Sequence, residues 1–286
     1  MRVILHVGMS KAGSTAIQNA LLANEAQLAQ NGVIYPSVGR YRGAHYPILQ
    51  AARSMTAELL TSRALSEARR KSGSTCILSC EGFWLLGSEQ IDVLAEMLKG
   101  HEVQVLAYLR DPASYLRSSY RQGIKAKGRK ESVAQRVARA GPQLAYSAVF
   151  GRWASNFPLT LASYELNSSR LESHFMSLIG VAEYLQPPAP VRANVTPPDG
   201  VTRAMLWANR MLPFAVARGA RRLIQRNAKS FSWLPKMDDS AFQVAGNGAK
   251  QQWDTEFLAR HMTAVDLKYL TNGAGVGDTV SESGAV

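Results

Sequence analysis

Four short aliphatic runs alternate along this chain with longer stretches of helical period, and that alternation restricts the possible folds more than any other feature. The runs are residues 3–7, 75–80, 103–109 and 159–163, rich in branched side chains and closed by turn or cap residues. A shorter extended piece at 32–36 stops at Pro36. Helical patterning is expected at about 14–30, 47–71, 88–99, 112–127, 131–139, 144–156 and 168–179. Strands alternating with helices specify a parallel sheet covered on both faces, hence a three-layer α/β/α domain. In such sheets ligands bind outside the carboxyl ends of the strands. The segment 8–13, Glu81 and Arg110 all fall at such ends.

Beyond Gln186-Pro187-Pro188-Ala189-Pro190 the strand signal disappears. Three parts are therefore expected: an α/β core at 1–185, a mainly helical part of the same domain at 186–270, and a tail at 271–286. The tail holds almost nothing to bury and is expected to be disordered. Residues 200–236 read as helical and basic.

With 46% hydrophobic residues the chain can form a sizeable core, which excludes global disorder. The formal net charge of +12 implies a polyanionic partner, whether nucleotide phosphates, nucleic acid, an acidic glycan or an anionic membrane face. Cys76 and Cys80 suggest neither a disulfide framework nor a zinc site, which fits a reducing compartment. The first apolar run is too short for a signal peptide, and none approaches the length of a membrane span. A cytoplasmic protein is the expectation, with peripheral contact at the inner membrane face as a further option.

Strand, glycine-bounded turn and helix start together form an anion site, because backbone N–H groups and the helix dipole both favour negative charge. The segment reads Gly8-Met9-Ser10-Lys11-Ala12-Gly13-Ser14-Thr15, with Ser14 or Thr15 as the helix cap. A nucleoside-triphosphate loop has its lysine directly after the second glycine. Here Ser14 holds that place and Lys11 lies inside the loop, better set against a single 5′-phosphate carrying a sulfuryl group. Read alone, the segment is equally a strand–turn–helix with incidental glycines.

Lys11-Ala12-Gly13-Ser14-Thr15 resembles the 5′-phosphosulfate loop of sulfotransferases that use PAPS (3′-phosphoadenosine-5′-phosphosulfate), with serine for the first threonine of their core. The continuation Ala16-Ile17-Gln18-Asn19-Ala20-Leu21 is similar to bacterial members. Arg110-Asp111-Pro112, followed by Ser118 and Tyr120, resembles their 3′-phosphate segment. Arginine forms a bidentate pair with phosphate, and a helical serine adds a neutral donor. Taken alone, Arg-Asp-Pro is also a helix cap with a surface salt bridge.

The resemblance covers roughly residues 2–125. It implies a P-loop NTPase-like core that binds PAPS and releases PAP, with Lys11, Ala12, Gly13, Ser14, Thr15, Arg110 and Ser118 holding the nucleotide. Lys11 would bridge the sulfuryl group and the leaving oxygen, and no metal is implied. A general base must take the acceptor's proton. Glu81 is the first candidate and His45 the second, while His6 reads as a satisfied core residue. The segment 192–196 resembles a stretch near the nucleotide or acceptor in bacterial members. The implied acceptor is a hydroxyl or amine on a glycan, lipid or small molecule, and no nucleic acid is expected. Two other readings stay open: a P-loop kinase or NTPase, and a basic nucleic-acid or membrane-binding protein using residues 200–236.

Overall fold

The computed structural model describes residues 1–184, 198–231, 233–235 and 237–272. Five strands form one sheet: β1 (Arg2–His6), β2 (Val33–Ile34), β3 (Thr75–Ser79), β4 (Glu102–Leu109) and β5 (Leu159–Ser163). Their order is β2-β3-β1-β4-β5 and every pair is parallel. Val3, Ile4, Leu5 and His6 on successive faces of β1 are all at or below 1% exposure. Both faces of the central strand are therefore covered, as a parallel sheet requires.

The helices between and after the strands are α1 (Ser14–Ala23), α2 (Glu25–Gln30), α3 (Tyr46–Arg53), α4 (Glu58–Arg70), α5 (Ser88–Met97), α6 (Pro112–Lys127), α7 (Val133–Leu144), α8 (Tyr146–Ala154), α9 (Tyr164–Asn167) and α10 (Leu171–Leu178). Beyond the sheet come α11 (Asp199–Met211), α12 (Phe214–Arg226), α13 (Ser240–Gln251), α14 (Thr255–His261) and α15 (Ala264–Asn272). α4, α5 and α8 lie side by side, α1 packs on α10, and α14 and α15 reach back to β5. Helices on both faces of an all-parallel sheet make this an α/β fold, consistent with three layers.

Two long helices expected from periodicity are each broken. The first divides at Asn24, whose side-chain amide donates to Ala20 O at 2.8 Å and draws the C-terminal turn of α1 to itself. The second divides between Arg53 and Glu58, where Met55 takes φ 57°. Short polar side chains compete with the helix ladder for backbone groups, and periodicity does not register that competition.

The register fixes which loops meet. His6 at the end of β1 lies beside Ser79 of β3 and Leu106 of β4, and β4 runs on until Leu109 meets Ser163 of β5. The segments 7–13, 80–82, 110–111 and 164–165 therefore open at one edge. The chain leaves β1 toward β2 and β3, then crosses to β4 and β5 on the other side. That reversal makes a topological switch point between β1 and β4. The expected tail and the segment 192–196 lie outside the described residues, apart from Thr271 and Asn272, which close α15.

Candidate functional site at the strand ends

The loop after β1 is built around two close approaches. A Cβ on Gly8 would come within 2.3 Å of Ser14 Oγ, and one on Gly13 within 2.0 Å of Leu171 Cδ2. Gly13 also takes φ 78°, which favours glycine, and it caps α1 with no side-chain hydrogen bond. Neither expected residue, Ser14 or Thr15, is the cap. Lys11 adopts φ 71° at the crest of the loop and is half-buried. The first turn of α1 thus carries donors that no side chain satisfies, the usual basis of an anion site.

Ser14 is 3% exposed and its hydroxyl donates to Met9 O at 3.4 Å, beneath Gly8. The expectation that its side chain faces a phosphate is thereby corrected: the close packing at Gly8 turns it inward. Thr15 is exposed, and Ala12 is buried in the core.

Arg110, directly after β4, reaches back across the switch point. Its Nη1 donates to Lys11 O at 2.5 Å, its Nε faces Glu165 Oε1 at 3.8 Å, and its guanidinium lies 5.1 Å from the Tyr164 ring centre. Tyr146 Oη donates to Arg110 O at 2.8 Å. Asp111 caps α6 by accepting from Ser114 N at 2.9 Å and pairs with Lys250 at 2.7 Å. The Asp-Pro pair is thus a helix cap with a salt bridge, while Arg110 itself points into the loop. Ser118 lies half-buried in the second turn of α6 and makes no hydrogen bond to Lys11 or Arg110. Tyr120 is buried and donates to Glu131 O, away from these groups.

Glu81 follows β3 and accepts a hydrogen bond from Tyr46 Oη at 2.7 Å. Burial, the Glu81 hydrogen bond and its charge together push the Tyr46 phenol well above its ordinary range. Burial also lowers the Lys11 ammonium; the Glu81 carboxylate opposes that shift, and Arg110 and Lys125 add to it. Lys11 therefore stands in one electrostatic field with an acid and two cations. A cavity of about 480 Å³ opens beside Glu81; Lys11, Arg110 and Lys125 are not among its lining residues. α1 contributes Thr15, Gln18 and Asn19 to its wall, the following segments contribute Tyr41, Arg42, Tyr46 and Gln50, and the loop after β3 contributes Glu81.

No protein-family model, curated protein or solved structure matches the chain. The chemistry of the site is consequently argued from its own residues.

His45 is corrected as a base candidate. It is 0% exposed, its Nδ1 accepts from Ser79 N at 3.1 Å, and its Nε2 lies 3.2 Å from Pro36 O. Burial pushes the ring down to about 4, against the backbone hydrogen bonds, so it stays neutral and ties the 37–45 loop to β3. His6 is a core residue as expected but is only half satisfied. Its Nδ1 meets Ser79 Oγ at 2.8 Å, and its buried Nε2 has no partner.

Sequence reading missed Glu165, whose carboxylate accepts from Asp111 N at 3.1 Å and whose acidity burial weakens. It sits two residues past β5, at the same edge as the other loops, and its position was the available signal. Nothing in the sequence spacing of Tyr46 or Lys125 links them to Glu81 or Lys11. Among the described residues no cluster of His, Cys, Asp or Glu could hold a metal, and no helix is long and apolar enough to cross a membrane.

Proposed function

We propose that the protein transfers a sulfuryl group from PAPS to a hydroxyl or amine of an acceptor bound beside Glu81, on a P-loop NTPase-like core. The observation that carries this reading is Lys11. It is held inside the loop by its own left-handed backbone and by Arg110, and it lies in the electrostatic field of a carboxylate that borders an open cavity.

The fit of the donor rests on the uncapped start of α1, the exposed Thr15 and the two cations. PAPS, when bound, supplies the sulfuryl group and departs as PAP. Lys11 then neutralises the oxygen from which sulfur separates, Thr15 and the first amides of α1 hold the 5′-phosphate, and Glu81 takes the proton from the attacking acceptor. In such in-line transfers positioning and electrostatics dominate. Arg110 can bind the 3′-phosphate by exchanging Glu165 for a more highly charged partner, with Ser118 on the adjoining helix. Tyr46 holds Glu81 in place.

The cavity wall combines amides, phenols and Arg42, a donor and acceptor set suited to a polyhydroxylated acceptor such as a glycan or glycolipid. A cytoplasmic setting belongs to the same proposal, in keeping with Cys76 and Cys80 being free thiols. The test is a transfer assay with sulfur-labelled PAPS against sugars, glycolipids, phenols and peptides. Label moving to any of them, and lost in Glu81→Gln, supports the reading. Label moving unchanged in Glu81→Gln removes Glu81 from it.

A further inference from the structure

The helical hairpin α11–α12 carries a surface that the crevice does not use. Eleven large apolar residues are exposed among the described residues, and six of them fall between 207 and 233: Trp207, Met211, Phe214, Val216, Leu223 and Trp233. Trp207 is 65% and Trp233 76% exposed. They border an apolar groove of about 510 Å³ floored by Ala204, Ala208, Ile224 and Leu234. Soluble surfaces scatter such residues, so this concentration marks a place of contact.

The charged residues of the hairpin segment itself have one sign, with Asp199 and Asp238 at its two ends. Between Val201 and Met237 the sequence holds six arginines and two lysines and no carboxylate. That run alone supplies eight of the chain's +12. On α12 the exposed Arg218, Arg222 and Arg226 recur every four residues, forming a stripe beside Val216 and Leu223.

The hairpin is fixed from beneath by other residues. Asn209 donates to Ile124 O at 3.0 Å and to Arg129 O at 3.1 Å, and buried Arg221 donates to Asn209 at 2.7 Å. Asp199 pairs with Arg121 at 2.5 Å. Of the outward side chains, Arg210 donates to Lys130 O at 3.1 Å and Phe214 packs on Arg221, so both also serve the attachment.

We propose that this face lies on an anionic lipid bilayer, with Trp207, Leu223 and Trp233 entering the headgroup–acyl boundary and the arginines pairing with lipid phosphates. A rigid apolar strip flanked by arginine and tryptophan is the composition of an interfacial surface. Arginine stems can cover the boundary while their heads stay at the phosphates. A second copy is disfavoured because a two-fold contact would set the exposed arginine stripe of one α12 against that of the other. A nucleic acid would engage the arginines but would bury Met211, Val216 and Leu223 against sugar and phosphate, with no base to stack on them.

The test uses the full chain with vesicles of phosphatidylcholine, with and without phosphatidylglycerol. Trp84, Trp153 and Trp253 are already buried, so a blue shift of tryptophan emission on binding reports Trp207 and Trp233. The expected result is sedimentation and a blue shift with phosphatidylglycerol vesicles alone. Affinity should fall about tenfold or more in Trp207→Ser/Leu223→Ser and likewise in Arg218→Glu/Arg222→Glu. Lys11→Ala should bind vesicles normally, so the outcome is independent of the donor site. Binding without a blue shift, or full binding by the Trp207→Ser/Leu223→Ser variant, overturns the proposal. So does a concentration-dependent dimer that these substitutions dissolve, or tighter binding to RNA than to the vesicles.

Discussion

Gly8→Ala tests the loop geometry more sharply than any change at a charged residue, because its cost has a single main source. The new Cβ would lie 2.3 Å from Ser14 Oγ and 3.0 Å from the His6 ring, while the backbone at Gly8 is outside the left-handed region. Overpacking of this kind costs about 1–3 kcal/mol. Stiffening of the unfolded chain returns about 0.4–1 kcal/mol, so the net loss should be roughly 1–2 kcal/mol. Ser14→Ala removes only a 3.4 Å hydrogen bond, worth about 0.5 kcal/mol. In the double variant the principal clash is gone and only the His6 contact remains. The two substitutions should therefore be coupled by about 1–2 kcal/mol, with the double variant more stable than Gly8→Ala. Urea unfolding followed by tryptophan fluorescence measures all four corners of the cycle. If Ser14→Ala fails to relieve Gly8→Ala, the serine does not sit under the glycine, and the inward placement of its hydroxyl is wrong.

Three further outcomes follow from the same contacts. Lys11→Met should lower sulfuryl transfer by about 10²–10³ while reducing PAP affinity far less; equal losses in both would make Lys11 a binding residue alone. Tyr46→Phe removes a 2.7 Å hydrogen bond to Glu81 and should cost about 1.5–3 kcal/mol in transition-state stabilisation, with KM little changed and no effect in a Glu81→Gln background. Burial pushes His6 to about 3 and His45 to about 4, so the folded protein excludes protons that the unfolded chain binds near 6.5. Their contribution is complete above that value and is lost as pH falls toward 4, at up to about 2.7 kcal/mol per pH unit for the pair; urea midpoints unchanged over that window would refute it.

The strands were legible because a strand buried on both faces is largely aliphatic, as Val3, Ile4 and Leu5 of β1 and Ile77 and Leu78 of β3 are. The Asp111 cap and the Pro112 helix start were legible for a local reason, since both depend on residues adjacent in sequence. His45 shows where such reading stops. A histidine base is what the resemblance to sulfotransferases allows, but the 37–45 loop folds so that its ring completes the backbone of Ser79 and Pro36. Glu165 shows the converse, a carboxylate made relevant to Arg110 by β5 joining β4 from 50 residues farther along the chain. Ser14 was misread because its direction depends on the missing Cβ of Gly8, a contact across the turn with no periodicity to announce it.

The donor assignment is tested most directly by calorimetric titration of the full chain with PAP in the absence of metal. Saturable binding at one site, weakened by about tenfold or more in Lys11→Ala and again in Arg110→Ala, is the predicted result. No binding of PAP, or tighter binding of ATP with Mg²⁺ than of PAP, would contradict it.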